Sequence, residues 1–157
     1  MKTLIIGLGN PILGDDGVGW VVAHEVEARL GGAASDIRVD CLALGGISLM
    51  EHMVGYERVI LIDALKTGKH PQGTVIILRL DELAGLRHGH STSAHDAALD
   101  TALAMGRKVG ADLPDDRNIT VVAIESQQVY DFAQELTPEI AAAVPQAVQN
   151  VMSLLFP

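Results

Sequence analysis

Short apolar runs alternate along this chain with segments whose apolar positions recur every three or four residues. Thr3-Leu4-Ile5-Ile6 opens as a strand and breaks at Gly7-Leu8-Gly9-Asn10-Pro11. From Asp16 to Leu30, residues Val18, Val21, Val22 and Val26 fall at helical spacing, and Gly31-Gly32 ends the predicted helix. Ile37 to Leu42 reads as a second strand, and Ser48 to Met53 as a short helix after Gly45-Gly46. Val59-Ile60-Leu61-Ile62 is apolar at every position, the pattern of a central parallel strand covered on both faces. Thr74 to Leu78 and Ile119 to Ile124 are further strands, with a helix expected between them from Ser93 or His95 to about Val109. Thr137-Pro138-Glu139 starts the last helix, with Thr as N-cap and Pro at the first helical position. Its buried face is Val144, Val148, Val151, Met152 and Leu155, and Pro145 either kinks it or marks its true start. No repeat, low-complexity stretch or linker interrupts this order. The pattern predicts one three-layer α/β domain over residues 1–157, with a mostly parallel sheet of about five strands flanked by helices.

Composition narrows the function. There are 20 Asp and Glu against 11 Lys and Arg, a formal charge of −9, and the isoelectric point is near 4.9. That balance argues against nucleic acid, whose phosphates call for clustered Lys and Arg, and the aromatic content of 3% leaves little for base stacking. Mean hydropathy is +0.28, yet strongly apolar runs are as short as Val59 to Ile62, whereas a membrane-spanning helix needs ~20 residues. The first residues lack the length and cleavage site of a signal peptide, so a soluble, cytoplasmic protein is expected. Cys41 is the one cysteine, which excludes a disulfide framework or a paired-cysteine metal site. It reads as a small core residue rather than a nucleophile. Histidines and carboxylates remain as the candidate chemistry.

Three polar motifs stand out. The first is Gly7-Leu8-Gly9-Asn10-Pro11-Ile12-Leu13-Gly14-Asp15-Asp16-Gly17-Val18-Gly19. A dinucleotide fingerprint starting at Gly7 needs glycine where Ile12 stands, so the run reads instead as a sharp turn at a strand's carboxyl end. Open α/β sheets place ligands at such ends. Asp15 is better read as a helix cap; Asp16 either caps or meets a ligand. The second motif is Ile60-Leu61-Ile62-Asp63-Ala64, which puts Asp63 directly after an apolar strand, where it either caps a turn or binds a ligand. Parallel strands would bring Asp16 and Asp63 to one edge. The third is Ser91-Thr92-Ser93-Ala94-His95-Asp96, where Ser93 and Asp96 approximate a capping box. His95 then lies in the first turn of a helix, whose dipole favours the neutral, metal-ligating ring. Two carboxylates and one imidazole suit a divalent transition metal. His88 and His90 share that loop and could join the site, though solvated loop residues are the better reading; His24, His52 and His70 read as surface residues.

These motifs together resemble the hydrogenase maturation proteases, which process the large subunit of nickel–iron hydrogenases. Secondary matches are Gly45-Gly46, Gly73-Thr74-Val75 and Glu135-Leu136-Thr137-Pro138, so the resemblance covers nearly the whole chain in order. It implies a phosphorylase/hydrolase-like α/β fold and an endopeptidase that removes a carboxy-terminal extension from a large-subunit precursor after nickel insertion. It also implies that Asp16, Asp63 and His95 are the metal-contacting and catalytic residues. The nickel would come with the substrate, and no organic cofactor is implied. Many members carry Glu where this chain has the shorter Asp16, and Asp where Leu44 precedes the paired glycines.

Three functions are thus weighed. A monomeric maturation peptidase would use the acidic site to favour a metal-loaded precursor and cut by metal-assisted hydrolysis. A non-enzymatic nickel-binding chaperone would use the same residues without cutting. A peptidyl-tRNA hydrolase shares the Gly7-Leu8-Gly9-Asn10-Pro11 opening, but a charge of −9 opposes tRNA binding. Loops near Gly45-Gly46 and Arg87 to Ser91 are expected to flank the peptide groove.

Overall fold

The computed structural model describes residues 1–86, 94–127 and 132–157, those at 84–86 and 94–98 by their backbone. Strands β1 (Thr3–Leu8), β2 (Ile37–Leu42), β3 (Arg58–Leu65), β4 (Val75–Arg79) and β5 (Ile119–Glu125) form one sheet in the order β2-β1-β3-β5-β4. All pairs are parallel except β4 with β5, which is antiparallel. Helices α1 (Val18–Leu30) and α5 (Pro138–Leu155) cover one face; α2 (Gly46–Met53), α3 (Leu80–Leu86) and α4 (Ala94–Lys108) cover the other. The expected three-layer α/β architecture is therefore present. Among the described residues, no helix is long and apolar enough to cross a membrane.

Strand alternation divides the core. Leu4, Ile6, Leu8, Leu61, Leu65, Val121 and Ala123 pack with Leu49, Met53, Leu99 and Leu103 of α2 and α4. Ile5, Ile60, Ile62, Val122 and Ile124 pack with Val18, Val22, Val26, Val144, Val148 and Val151 of α1 and α5. Each such aliphatic side chain contributes roughly 1.5–3 kcal/mol by leaving water. This two-sided demand is why β1 and β3 carry continuous apolar runs rather than an alternating pattern.

Several boundaries differ from the sequence expectations. A short 3-10 turn, Gly14–Gly17, precedes α1, so the helix starts at Val18 rather than Asp16. Val21, which shares the helical spacing of Val18, Val22 and Val26, is 37% exposed, while those three are buried. Helix α2 starts at Gly46, ahead of Ser48, and α3 had no counterpart in the apolar pattern. Pro145 lies inside α5, neither starting nor ending it. Strand β3 does not stop at Ile62. Its pairing with β1 ends at Gly7 opposite Ile62, but its pairing with β5 continues to Leu65 opposite Glu125.

The sheet order places a topological switch point between β1 and β3: α1 leads from β1 toward β2 on one face, and α2 leads back to β3 on the other. At this point α1 approaches the sheet closely. Gly19 sits so near the carbonyl oxygens of Leu8 and Ile62 that a Cβ there would collide with both. Glycine in a helix usually costs about 1 kcal/mol relative to alanine. Here the sign should reverse: Gly19→Ala is expected to lose about 1–3 kcal/mol of stability in urea denaturation, because backbone atoms must move to accept the methyl group.

Candidate functional site

The chain leaves β1 through a turn built around Asp16. Gly9, at φ +131°, lies against the carbonyl of Asp16, a conformation and a proximity that no side chain would allow. Asp16 Oδ2 accepts the Asn10 N–H at 2.8 Å, and Asn10 Oδ1 accepts the Ile12 N–H at 3.1 Å. The half-buried Asp16 is thereby held at the carboxyl end of β1, where the 3-10 turn packs against β3.

Asp63 occupies the neighbouring strand. It is only 3% exposed and pairs in register with Ala123, one position past the last β1–β3 pair. It therefore lies inside β3 with respect to β5, yet beyond the end of β1. Strand alternation puts it in phase with Leu61 and Leu65, both in the cluster beneath α2 and α4. The side chain of Asp63 thus belongs to the face that α4 covers.

His95 is placed through its helix. Gly106, near the carboxyl end of α4, lies against Met50 and Leu113, and the backbone carbonyl of Asp112 accepts the Gly55 N–H at 2.9 Å. These contacts bring the carboxyl end of α4 to the edge where β3 and β5 begin. The helix runs from Ala94 to Lys108, which puts His95 in its first turn, away from that end. The backbone thus sets Asp16 and Asp63 at neighbouring strand ends and His95 in the first turn of α4. The side chain of His95 lies outside the described residues, as do His88, His90 and Ser93. His24, His52 and His70 are exposed, as expected. Among the described side chains, no three His, Cys, Asp or Glu converge on a point that could hold a metal ion.

Two further carboxylates shape this edge. Asp15 does not cap α1, because the 3-10 turn intervenes. Its Oδ1 accepts the Thr137 N–H at 2.7 Å and its Oδ2 accepts the Thr137 hydroxyl at 2.9 Å, so it serves the start of α5 instead. Glu125, 3% exposed at the end of β5, accepts the N–H of Thr67 through Oε2 at 2.8 Å and the Thr67 hydroxyl through Oε1. That bond anchors the loop that follows Asp63. The sequence reading missed Glu125, although it follows Val121-Val122-Ala123-Ile124 just as Asp63 follows its own apolar run.

Cys41 sits apart on β2, half-buried, with Sγ 3.6 Å from His24 Nε2. Desolvation, with Glu27 and Asp40 nearby, pushes its thiol up to about 11, so the thiolate needed for nucleophilic attack is scarce at neutral pH.

Comparison with known proteins gives a consistent result. The hydrogenase maturation protease family profile matches residues 39–154. The hydrogenase 2 maturation protease of Escherichia coli K12 is 28% identical over 157 residues, covering 99% of this chain and 91% of that protein. The solved [NiFe] hydrogenase maturation protease HybD from Thermococcus kodakarensis superposes with a TM-score of 0.72 at 27% identity, over 98% of this chain and 99% of that one. The hydrogenase maturating endopeptidase HybD from Escherichia coli shares the fold with a TM-score of 0.81 at 24% identity, over 99% and 92% of the two chains.

Two measurements check the local chemistry. Alkylation of Cys41 by iodoacetamide at pH 8 should run about two orders of magnitude slower than that of a free cysteine, and should rise as pH approaches 11. Glu125→Ala should lower stability by roughly 1–3 kcal/mol in chemical denaturation, because the Thr67 donors lose a buried acceptor.

Proposed function

The chain belongs to the hydrogenase maturation protease family and is a peptide-bond hydrolase; on that premise we propose that it removes the carboxy-terminal extension of a nickel–iron hydrogenase large-subunit precursor, working as a monomer with Asp16, Asp63 and His95 as its site. The observation that supports this reading is that two carboxylates lie on adjacent strand ends at the β1/β3 switch point, with His95 in the first turn of α4. Family membership favours cutting over the non-enzymatic chaperone, and leaves the peptidyl-tRNA hydrolase reading without support.

Nickel enters as part of the substrate. A precursor that has received its metal presents a cation to Asp16 and Asp63, whereas an unloaded precursor presents nothing to offset their charge. Discrimination then comes from the difference between two affinities rather than from reading the peptide alone. Asn10 holds Asp16 through Oδ2, so Oδ1 is the oxygen this chain offers to the cation. Asp63 is enclosed at 3% exposure, and an anionic carboxylate in that surrounding gains more from a nearby cation than it would in water. Docking of the metal centre positions the scissile amide against the same edge.

Hydrolysis adds hydroxyl from water to the amide carbon and a proton to the departing amine. A carboxylate or imidazole at this edge takes the water's proton as general base, and the substrate's metal centre assists by polarising the carbonyl or the water. His95→Ala and Asp63→Asn should each leave a folded protein whose processing of nickel-loaded precursor falls by roughly 10²-fold or more, read as the mass loss at the precursor's carboxy terminus. Full processing by both variants would remove these residues from the site.

A further inference from the structure

The two loops that carry the chain to and from the site carboxylates meet at one residue, Thr137. Asp15, directly before Asp16, takes both the Thr137 N–H and its hydroxyl proton, at 2.7 and 2.9 Å. Gln72, in the loop that leaves β3 after Asp63, donates from Nε2 to Thr137 Oγ1 at 3.1 Å. The hydroxyl therefore acts once as donor and once as acceptor, linking the two side chains. Backbone bonds reinforce the junction. Gly14 N–H donates to the carbonyl of Ala133 at 2.7 Å, and Ala133 N–H donates to the carbonyl of Ile12 at 3.1 Å. On the other side, Gly73 N–H donates to the Glu125 carbonyl at 2.8 Å, so the Gln72 loop is itself tied to the end of β5.

A cap for α5 alone would not need a partner 122 residues away in sequence. What the distant carboxylate adds is a fixed relation between the turn of Asp16 and the loop that follows Asp63. We propose that Asp15 is a positioning residue of this peptidase, which through Thr137 and Gln72 sets the separation of Asp16 from Asp63. The proposal rests on the reading that those two carboxylates form the site. It also divides the labour of the adjacent pair. Both oxygens of Asp15 are engaged at the positive end of α5, so a cation at the site meets Asp16 and not its neighbour. Because Thr137 is exposed, the clasp adds little to global stability, and its loss should be read in catalysis first.

The test uses the full chain and nickel-loaded precursor, with kcat and KM measured separately and thermal melting as the control for folding. Asp15→Ala should lower kcat by roughly ten- to a hundred-fold, with KM and melting temperature near those of the parent protein, since small misplacements of reacting groups cost rate in that range. Thr137→Val, which keeps the N–H and loses the hydroxyl, should fall between, and Thr137→Ser should recover the parent rate. The double variant Asp15→Ala/Thr137→Val should be no slower than Asp15→Ala alone, because both changes open one clasp. An unchanged kcat per folded molecule in Asp15→Ala, or losses that multiply in the double variant, would overturn the proposal. If Asp15→Ala does not fold, equal rates for Thr137→Val and Thr137→Ser overturn it instead. Asp16→Ala separates the two levels. A fully active Asp16→Ala sinks the site reading itself, whereas an inactive Asp16→Ala beside a fully active Asp15→Ala sinks only the clasp.

Discussion

The close approach of α1 to the sheet at Gly19 governs what surrounds it. A helix normally stands off from a sheet by the length of its side chains, but here the backbone of α1 comes down onto the carbonyl oxygens of Leu8 and Ile62. Those carbonyls belong to the two strands on either side of the switch point. The contact therefore leaves little freedom in how the chain passes from β1 into α1. The intervening residues must fold back sharply, which is what Gly9 and the 3-10 turn accomplish, and Asp16 is carried to the sheet edge as a result. Backbone packing is thus what brings Asp16 to this edge.

The carboxylates at this edge fall into two kinds. Asp15 and Glu125 each accept both the N–H and the hydroxyl proton of a threonine, Thr137 and Thr67 respectively. Such charge-assisted pairs hold loops in place and engage both oxygens of the carboxylate. Asp16 gives one oxygen to Asn10, and Asp63 lies enclosed on the α4 side of β3. An excess of nine negative charges, read from composition alone, thus includes members with opposite uses: some fix the frame and others face what the frame presents.

Much of this was legible in the sequence, for physical reasons that differ by element. β1, β3 and β5 announce themselves because a strand covered on both faces must be apolar at every position. Asp16 and Asp63 stand out as candidates because each follows such a strand, and His95 because a capping pattern puts it in a helix's first turn. The end of β3 was not legible, since its length is set by β5, a partner more than fifty residues away in sequence. The antiparallel direction of β4 has the same origin. Asp15 was misread because its acceptor role depends on Thr137, and a cap read from local sequence finds only the helix that comes next. Val21 has helical spacing but faces outward beside Trp20, where spacing alone carries no sign of the missing neighbour.

The bond between Asp15 and Thr137 also orders events in time. Synthesis proceeds from the amino terminus, so the turn bearing Asp16 leaves the ribosome early, with β1 beside it. Its brace is made more than a hundred residues later, when the segment leading into α5 emerges. The strand order imposes a similar delay, because β3 gains its neighbour β5 only after β4 and α4 have been made. A nascent chain therefore holds its first acidic motif long before it holds the segment that braces it, and the turn translated among the first residues waits for a partner translated among the last.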